Sequence, residues 1–207
     1  MTTQIALFGG VYSNYLALEA AITDARARGI SDLYCLGDLG AFGPFPDRVF
    51  PILQRHNVQC IQGNYDDSIG NDLDNCQCGY TAERDNYYAN ISYLYTQQHT
   101  SADNKAFLRQ LPRTRIIQVE QTQILLCHGS PRKLNEFLWE STSPDHFLEP
   151  FFSQHAVDVI AVTHTGIKWQ RQLPSGLFVN VGVLGRPEND GTTNVWYTIL
   201  EMSGSKT

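Results

Sequence analysis

The sequence predicts an α/β fold with a parallel sheet in its first half and a strand-rich second half. Three observations carry this. Over residues 1–62, short apolar runs alternate with helical patterns in the order β-α-β-α-β, which implies right-handed crossovers between parallel strands. After Pro112 the apolar runs come closer together, with one helical stretch between them. Several runs end in glycine or a polar residue, at the edge where open α/β sheets place their ligands.

The elements follow in order. Ile5–Phe8 is the first apolar run and ends in Gly9-Gly10. Leu16–Ile22 has apolar residues at helical spacing, with Gly29 as a stop. Leu33–Leu36 is the second run, closed by Gly37-Asp38. Pro46 opens a helix through Leu53, and Val58–Ile61 is the third run, closed by Gly63-Asn64. Residues 66–82 are polar and contain glycine, a long connection of the kind that covers a site. Residues 84–111 read as two helices broken near Thr100-Ser101. Arg115–Val119 and Gln123–Cys127 are strands around a short turn. A helix follows between Pro144 and His155, then a buried strand over Val157–Thr163. Gln170–Leu173, Leu177–Val181 and Asn194–Leu200 close the chain as strands. With no repeat, low-complexity tract or linker, residues 1–207 are expected to form one domain.

Composition bounds the function. The chain has 15 basic and 21 acidic residues, a net charge of −6, six histidines and five cysteines. Its length lets it bury roughly 70% of its unfolded surface, so neither disulfides nor a metal are needed merely to fold. The acidic balance argues against a nucleic-acid partner bound by phosphate neutralisation. No apolar run approaches a membrane span, and the N-terminus lacks the basic start of a signal peptide. An odd cysteine count then implies reduced thiols and a cytoplasmic protein, with Cys76 and Cys78 as two exposed thiols in a loop. Cys35 and Cys127 fall inside strand patterns and belong to the core. Oligomeric state stays open, because the apolar residues of 147–152 suit either core or interface.

The strand ends carry the chemistry. Gly37-Asp38, Gly63-Asn64, His128-Gly129 and His164-Thr165 each follow an apolar run. Taken singly, each is a common turn. Taken jointly, the strand carboxyl ends can bring a carboxylate, a carboxamide and two imidazoles to one place, a donor set suited to a divalent metal. Phe42, Phe45, Tyr65, Trp139 and Trp169 are candidates to line a pocket above it.

This pattern resembles the calcineurin-like metallophosphoesterases, especially small prokaryotic phosphodiesterase-type members. The resemblance rests on CLGDLGAFGPFPD (Cys35–Asp47), QGNYDD (Gln62–Asp67), CHGSPR (Cys127–Arg132) and FVNVGVLGRP (Phe178–Pro187). It implies a four-layer α/β/β/α sandwich of two mixed β-sheets flanked by helices. It also implies a two-metal site. Asp38 matches the carboxylate shared by both ions, while Asn64, His128 and His164 match the remaining ligands of one ion. Asp38, Asn64 and His128 would be the catalytic groups of an active member, and Asn64, Tyr65 and Arg132 would meet the phosphate.

The other ion is where the chain departs from the family. Gly10 and Tyr12 stand where an Asp and a His are usual, and Gly166 replaces the second His of a Gly-His-Thr-His segment. Glycine offers no side-chain ligand and a neutral phenol is a poor one. Two-metal catalysis clamps both the attacking and the leaving oxygen, so losing one ion removes several kcal/mol of transition-state stabilisation. One divalent ion (Mn, Zn, Fe or Ni) is expected at most, and a second is not. The expected protein has weak or absent phosphoester hydrolysis and binds a small phosphate-containing ligand or a protein partner. The alternative is an active metal-dependent phosphoric ester hydrolase of phosphodiesterase type with a mononuclear or unconventional metal centre.

Overall fold

The structure, a computed structural model, describes residues 2–203. Its elements begin with β1 (Thr2–Phe8), α1 (Tyr15–Ala27) and β2 (Asp32–Cys35). A 3-10 turn at Pro46–Arg48 runs into α2 (Val49–Arg55), followed by β3 (Gln59–Cys60) and α3 (Asn64–Gly70). Next come α4 (Glu83–His99), α5 (Ala102–Gln110), β4 (Thr114–Val119) and β5 (Thr122–Cys127). The chain ends with α6 (Asp145–His155), β6 (Val159–Val162), β7 (Trp169–Leu173), β8 (Gly176–Asn180) and β9 (Thr198–Ser203).

Two mixed sheets result. One has the order β3-β2-β1-β9 and the other β4-β5-β6-β8-β7. β1, β2 and β3 are mutually parallel and β9 runs antiparallel to β1. In the second sheet β5, β6 and β8 are parallel, with β4 and β7 antiparallel at the edges.

The period-2 alternation of strands divides the core into layers. Ile5 and Leu7 of β1 pack with Ile124 and Leu126 of β5 and Ala161 of β6 between the sheets. Their neighbours Ala6 and Phe8 face the other way, against Leu18 and Ile22 of α1 and Ile52 and Leu53 of α2. On the far side Leu125, Cys127, Ile160 and Phe178 pack on Leu148, Phe151 and Phe152 of α6. Because both faces of the central strands are covered, their sequences read as continuous apolar runs. This is the α/β/β/α sandwich.

Three expectations change. The polar stretch after Asn64 is not wholly loop, since Asn64–Gly70 is helical. Asp66 and Asp67 place acidic groups in the first turn of α3, and Asp66 accepts the Gly63 N–H at 2.8 Å. An acid in that position satisfies an orphan donor and favours the helix dipole. The last strand begins at Thr198 rather than at Asn194. Cys76 and Cys78 are neither exposed nor reduced: both are buried and joined as a disulfide, their Cα atoms 5.2 Å apart. Gln77 between them takes a left-handed φ of 52°, which folds the tripeptide back on itself. Cys35, Cys60 and Cys127 are free and buried. Among the described residues no helix is long and apolar enough to cross a membrane.

Candidate metal centre

Two tight loops after β2 and β3 build the floor of the site. A β-carbon on Gly37 would lie 2.3 Å from the Gly63 nitrogen, so the loops touch only because glycine occupies this point. Asp66 ties them together. Its Oδ2 accepts the Asp38 and Gly63 N–H groups, each at 2.8 Å, and its Oδ1 accepts the Leu39 N–H at 2.9 Å. The backbone of Asp38 is thereby held at a left-handed φ of 57°. Burial, and then the charge of Asp38, push the Asp66 carboxyl up to about 6.

Four acceptor atoms converge above this floor. His128 Nδ1 donates to the Leu36 carbonyl at 2.6 Å. In the neutral ring this leaves the Nε2 lone pair facing inward. That Nε2 lies 3.3 Å from Asp38 Oδ2, 3.1 Å from Asn64 Oδ1 and 3.2 Å from His164 Nδ1. Asn64 is oriented from behind, its Nδ2 donating to the Cys76 carbonyl at 2.7 Å and lying 3.6 Å from Cys78 Sγ. Asp38 Oδ1 accepts the Tyr65 N–H at 3.0 Å, which leaves Oδ2 to face the cluster.

Buried lone pairs pointing at one another repel unless a positive charge lies among them. The ionisation of the cluster reflects that. Burial lowers the proton affinity of His128, but Asp38's charge and hydrogen bond and the Leu36 carbonyl outweigh it, so its imidazolium is favoured. Asp38 is pushed up by burial and pulled down further by His128 and His164, ending below the usual carboxylate range. Burial, and then His128, hold His164 down at about 3, so its ring is neutral. The His164 Nε2 is buried with no hydrogen bond. Asp38, His128 and His164 can each offer one ligand atom within a 4.8 Å spread. One carboxylate, one carboxamide and two neutral imidazoles fit a divalent metal, with Asn64 as the fourth donor.

The Tyr12 ring lies over Gly10. A β-carbon on Gly10 would lie 2.6 Å from Tyr12 Cζ, so the phenol ring covers the space a longer residue 10 would use. The ring packs edge-on against Phe42, centroids 4.9 Å apart. Burial, and then Asp38, raise the Tyr12 phenol well above its ordinary value, so it stays protonated. At Gly166 the space is open, its nearest neighbour being Val183 at 3.7 Å, but the backbone sits at φ +79°.

The remaining candidates separate. Tyr65 is buried, and its hydroxyl donates to the Ala89 carbonyl at 3.3 Å, beneath α4 and away from the four-atom cluster. Arg132 is bonded to Glu136, with its guanidinium 4.7 Å from the Phe147 ring centroid. A cleft of about 490 Å³ opens above His164, and Tyr12, Phe42, Trp139 and Gly166 line it, whereas Tyr65, Arg132, Phe45 and Trp169 do not. Trp169 is core, stacked on Phe178. Phe45 stacks edge-on with Tyr15 beside a neighbouring groove.

Three contributors escape a reading by ligand type. Asp66 donates no ligand yet organises both loops; its signal was the first acid of QGNYDD, two residues after Asn64. Asn180 donates to the Thr163 carbonyl at 3.0 Å and to Thr165 Oγ1 at 2.8 Å, bracketing His164. Arg186, next to Gly185 in the last motif, reaches the cleft and lies 4.5 Å from the Phe42 ring centroid.

Comparison with known proteins agrees with this architecture. The chain is 25% identical over 219 residues to the uncharacterized protein MJ0912 of Methanocaldococcus jannaschii, covering 99% of this chain and 85% of that one. Its fold is similar to the crystal structure of the hypothetical protein PH1004 from Pyrococcus horikoshii OT3, with a TM-score of 0.75 at 19% identity over 99% of this chain and 89% of the other. A metallophosphoesterase from Sphaerobacter thermophilus superposes with a TM-score of 0.68 at 22% identity, covering 96% and 83% of the two chains. The calcineurin-like phosphoesterase superfamily domain matches residues 4–204, nearly the whole chain, and the protein belongs to that superfamily.

Proposed function

We propose that the protein binds one divalent cation through Asp38, Asn64, His128 and His164 and receives a phosphate-containing ligand in the cleft above it, with weak or absent phosphoester hydrolysis. One observation carries this reading: three buried acceptors converge on a fourth, His128 Nε2, while the Tyr12 ring covers Gly10. When bound, a divalent ion would supply Lewis acidity toward a phosphate oxygen. With Asp38 as the one anionic ligand, the loaded site carries about one net positive charge and attracts an anion. The chain's own residues hold Asn64 and His128 in their ligating orientations through the Cys76 and Leu36 carbonyls. Tyr12 removes the second half of the two-ion clamp.

Titration calorimetry with Mn and Zn, alongside turnover of an aryl phosphodiester, tests this. One equivalent of metal, lost in Asp38→Asn and His128→Ala, is the expected result. Two equivalents with wild-type turnover would overturn it in favour of an active hydrolase.

A second reading, self-association, is favoured by α4. The helix buries Ala89, Tyr93 and Thr96 and leaves Tyr87, Tyr88, Ile91, Leu94 and Tyr95 exposed. Sedimentation velocity on wild type and Ile91→Glu checks it: a dimer that the substitution dissociates supports this reading, and a monomer at all concentrations removes it.

A further inference from the structure

The cleft over His164 is more aromatic than a simple phosphate would require. Its rings fall into two sets. Tyr12 and Phe42 pack edge-on at 4.9 Å, with the Arg186 guanidinium 4.5 Å from the Phe42 centroid. Phe137 and Trp139 lie parallel within 3° at 5.4 Å, with Tyr80 6.0 Å from Phe137. Phe137 also packs on the His164 ring at 4.4 Å, so the aromatic wall adjoins the candidate metal ligands. Trp139 is 37% exposed, which leaves indole surface uncovered beside the cleft.

Polar groups in the same cleft lack partners. Among the described residues no carboxylate pairs with Arg186, and the Tyr12 hydroxyl makes no hydrogen bond. A guanidinium and a neutral phenol are donors suited to phosphate oxygens, whereas uncovered aromatic faces suit a flat ring system. The volume, about 490 Å³, lies within the range of small-molecule sites, roughly 300–1,000 Å³. Asp85 in the lining offers an acceptor to hydroxyl or amino groups of a ligand.

We infer that the cleft takes a planar heteroaromatic phosphate of the nucleoside monophosphate type, its ring against Trp139 and Phe137 and its phosphate on Arg186 and Tyr12. This narrows the phosphate-ligand reading above and rests on it. An aliphatic phosphate would leave the aromatic faces uncovered, and a nucleoside would leave Arg186 unpaired.

Calorimetry on the full chain with AMP, adenosine and glycerol 3-phosphate, with Mn and in EDTA, decides it. AMP should bind about tenfold or more tightly than either fragment, since one charge-assisted contact or one stacked base contributes about a factor of ten. Arg186→Met should weaken AMP about tenfold and leave adenosine unchanged. Trp139→Ala should weaken AMP and adenosine and leave glycerol 3-phosphate unchanged, with circular dichroism confirming that both variants fold. AMP binding no tighter than glycerol 3-phosphate, or unaffected by both substitutions, would overturn the inference. Metal stoichiometry is read separately: bound Mn without AMP discrimination sinks only this inference, and Arg186-dependent AMP binding without bound Mn sinks only the metal reading.

Discussion

The ring of Tyr12 lies over Gly10 so closely that a β-carbon on Gly10 would stand 2.6 Å from Cζ. Residues 10 and 12 therefore share one space: the ring of Tyr12 occupies the volume that a side chain at position 10 would need. Gly10→Asp alone should cost about 1–3 kcal/mol through overpacking, and Tyr12→His in the same chain should recover most of it. Gly166→His differs in kind, because the obstacle there is a φ of +79° rather than a neighbour, worth roughly 1–2 kcal/mol. Denaturant midpoints of the single, double and triple variants check the ordering. Metal content should rise to a second equivalent only when all three substitutions are combined; a second ion in wild type would refute the closure.

Asp66 should matter more than a residue that touches no ligand ordinarily does. Its carboxylate accepts three backbone N–H groups from two loops. In Asp66→Asn one oxygen becomes an amide donor, which cannot accept any of them. Leaving buried N–H groups unpaired costs about 1–3 kcal/mol each, so a loss near the top of that range is expected in urea unfolding. Cation affinity should fall with it, because Asp38 would no longer be held at its left-handed φ. An Asp66→Asn protein as stable as wild type would show that the loops are held by other means.

Much of this site was legible as sequence, and the parts that were not share a cause. Asp38, Asn64, His128 and His164 announce themselves because each follows a strand's carboxyl end, β2 and β3 in one sheet and β5 and β6 in the other, and these ends meet where the two sheets stack. The layers follow from Ile5/Leu7 and Ala6/Phe8 facing opposite ways. Direction of a side chain beyond its Cα is not encoded so locally. Tyr65 and Arg132 lie beside ligand positions in sequence, yet one turns under α4 and the other pairs with Glu136. Arg186 lies far from the ligands in the chain and reaches the cleft. The Cys76–Cys78 bond needed the left-handed turn at Gln77, which composition alone does not reveal.

That disulfide sits behind the proposed ligand Asn64, with the Cys76 carbonyl accepting from Asn64 Nδ2. Reduction by a dithiol frees the tripeptide to relax, and the amide then loses its fixed orientation. Groups that orient a ligand typically contribute about 10–100-fold to metal affinity. Mn affinity should therefore fall about tenfold on reduction, and Cys76→Ser/Cys78→Ser should reproduce the fall. Asn64→Ala should bind weakly and equally in both redox states. If reduction also weakens the Asn64→Ala variant, the loop acts through some other ligand.

Arg132 is an informative negative. Its guanidinium holds the Glu136 carboxyl below its ordinary range, chiefly through the hydrogen bond between them. The Arg132 side chain is 57% exposed, so solvent screening limits the pair to about 0–1 kcal/mol. Because the Glu136 pKa is depressed in the fold, this contribution is present above the unfolded glutamate value, about 4.3. It is lost as pH falls through the lower folded value. Arg132→Ala should accordingly be slightly less stable than wild type at pH 7, and the difference should vanish at pH values below the folded Glu136 pKa. Binding of inorganic phosphate or AMP should be unchanged, since Arg132 does not line the cleft. Parallel urea titrations and ligand calorimetry read the two effects separately. A drop in phosphate affinity comparable to that of Arg186→Met would return Arg132 to the ligand site.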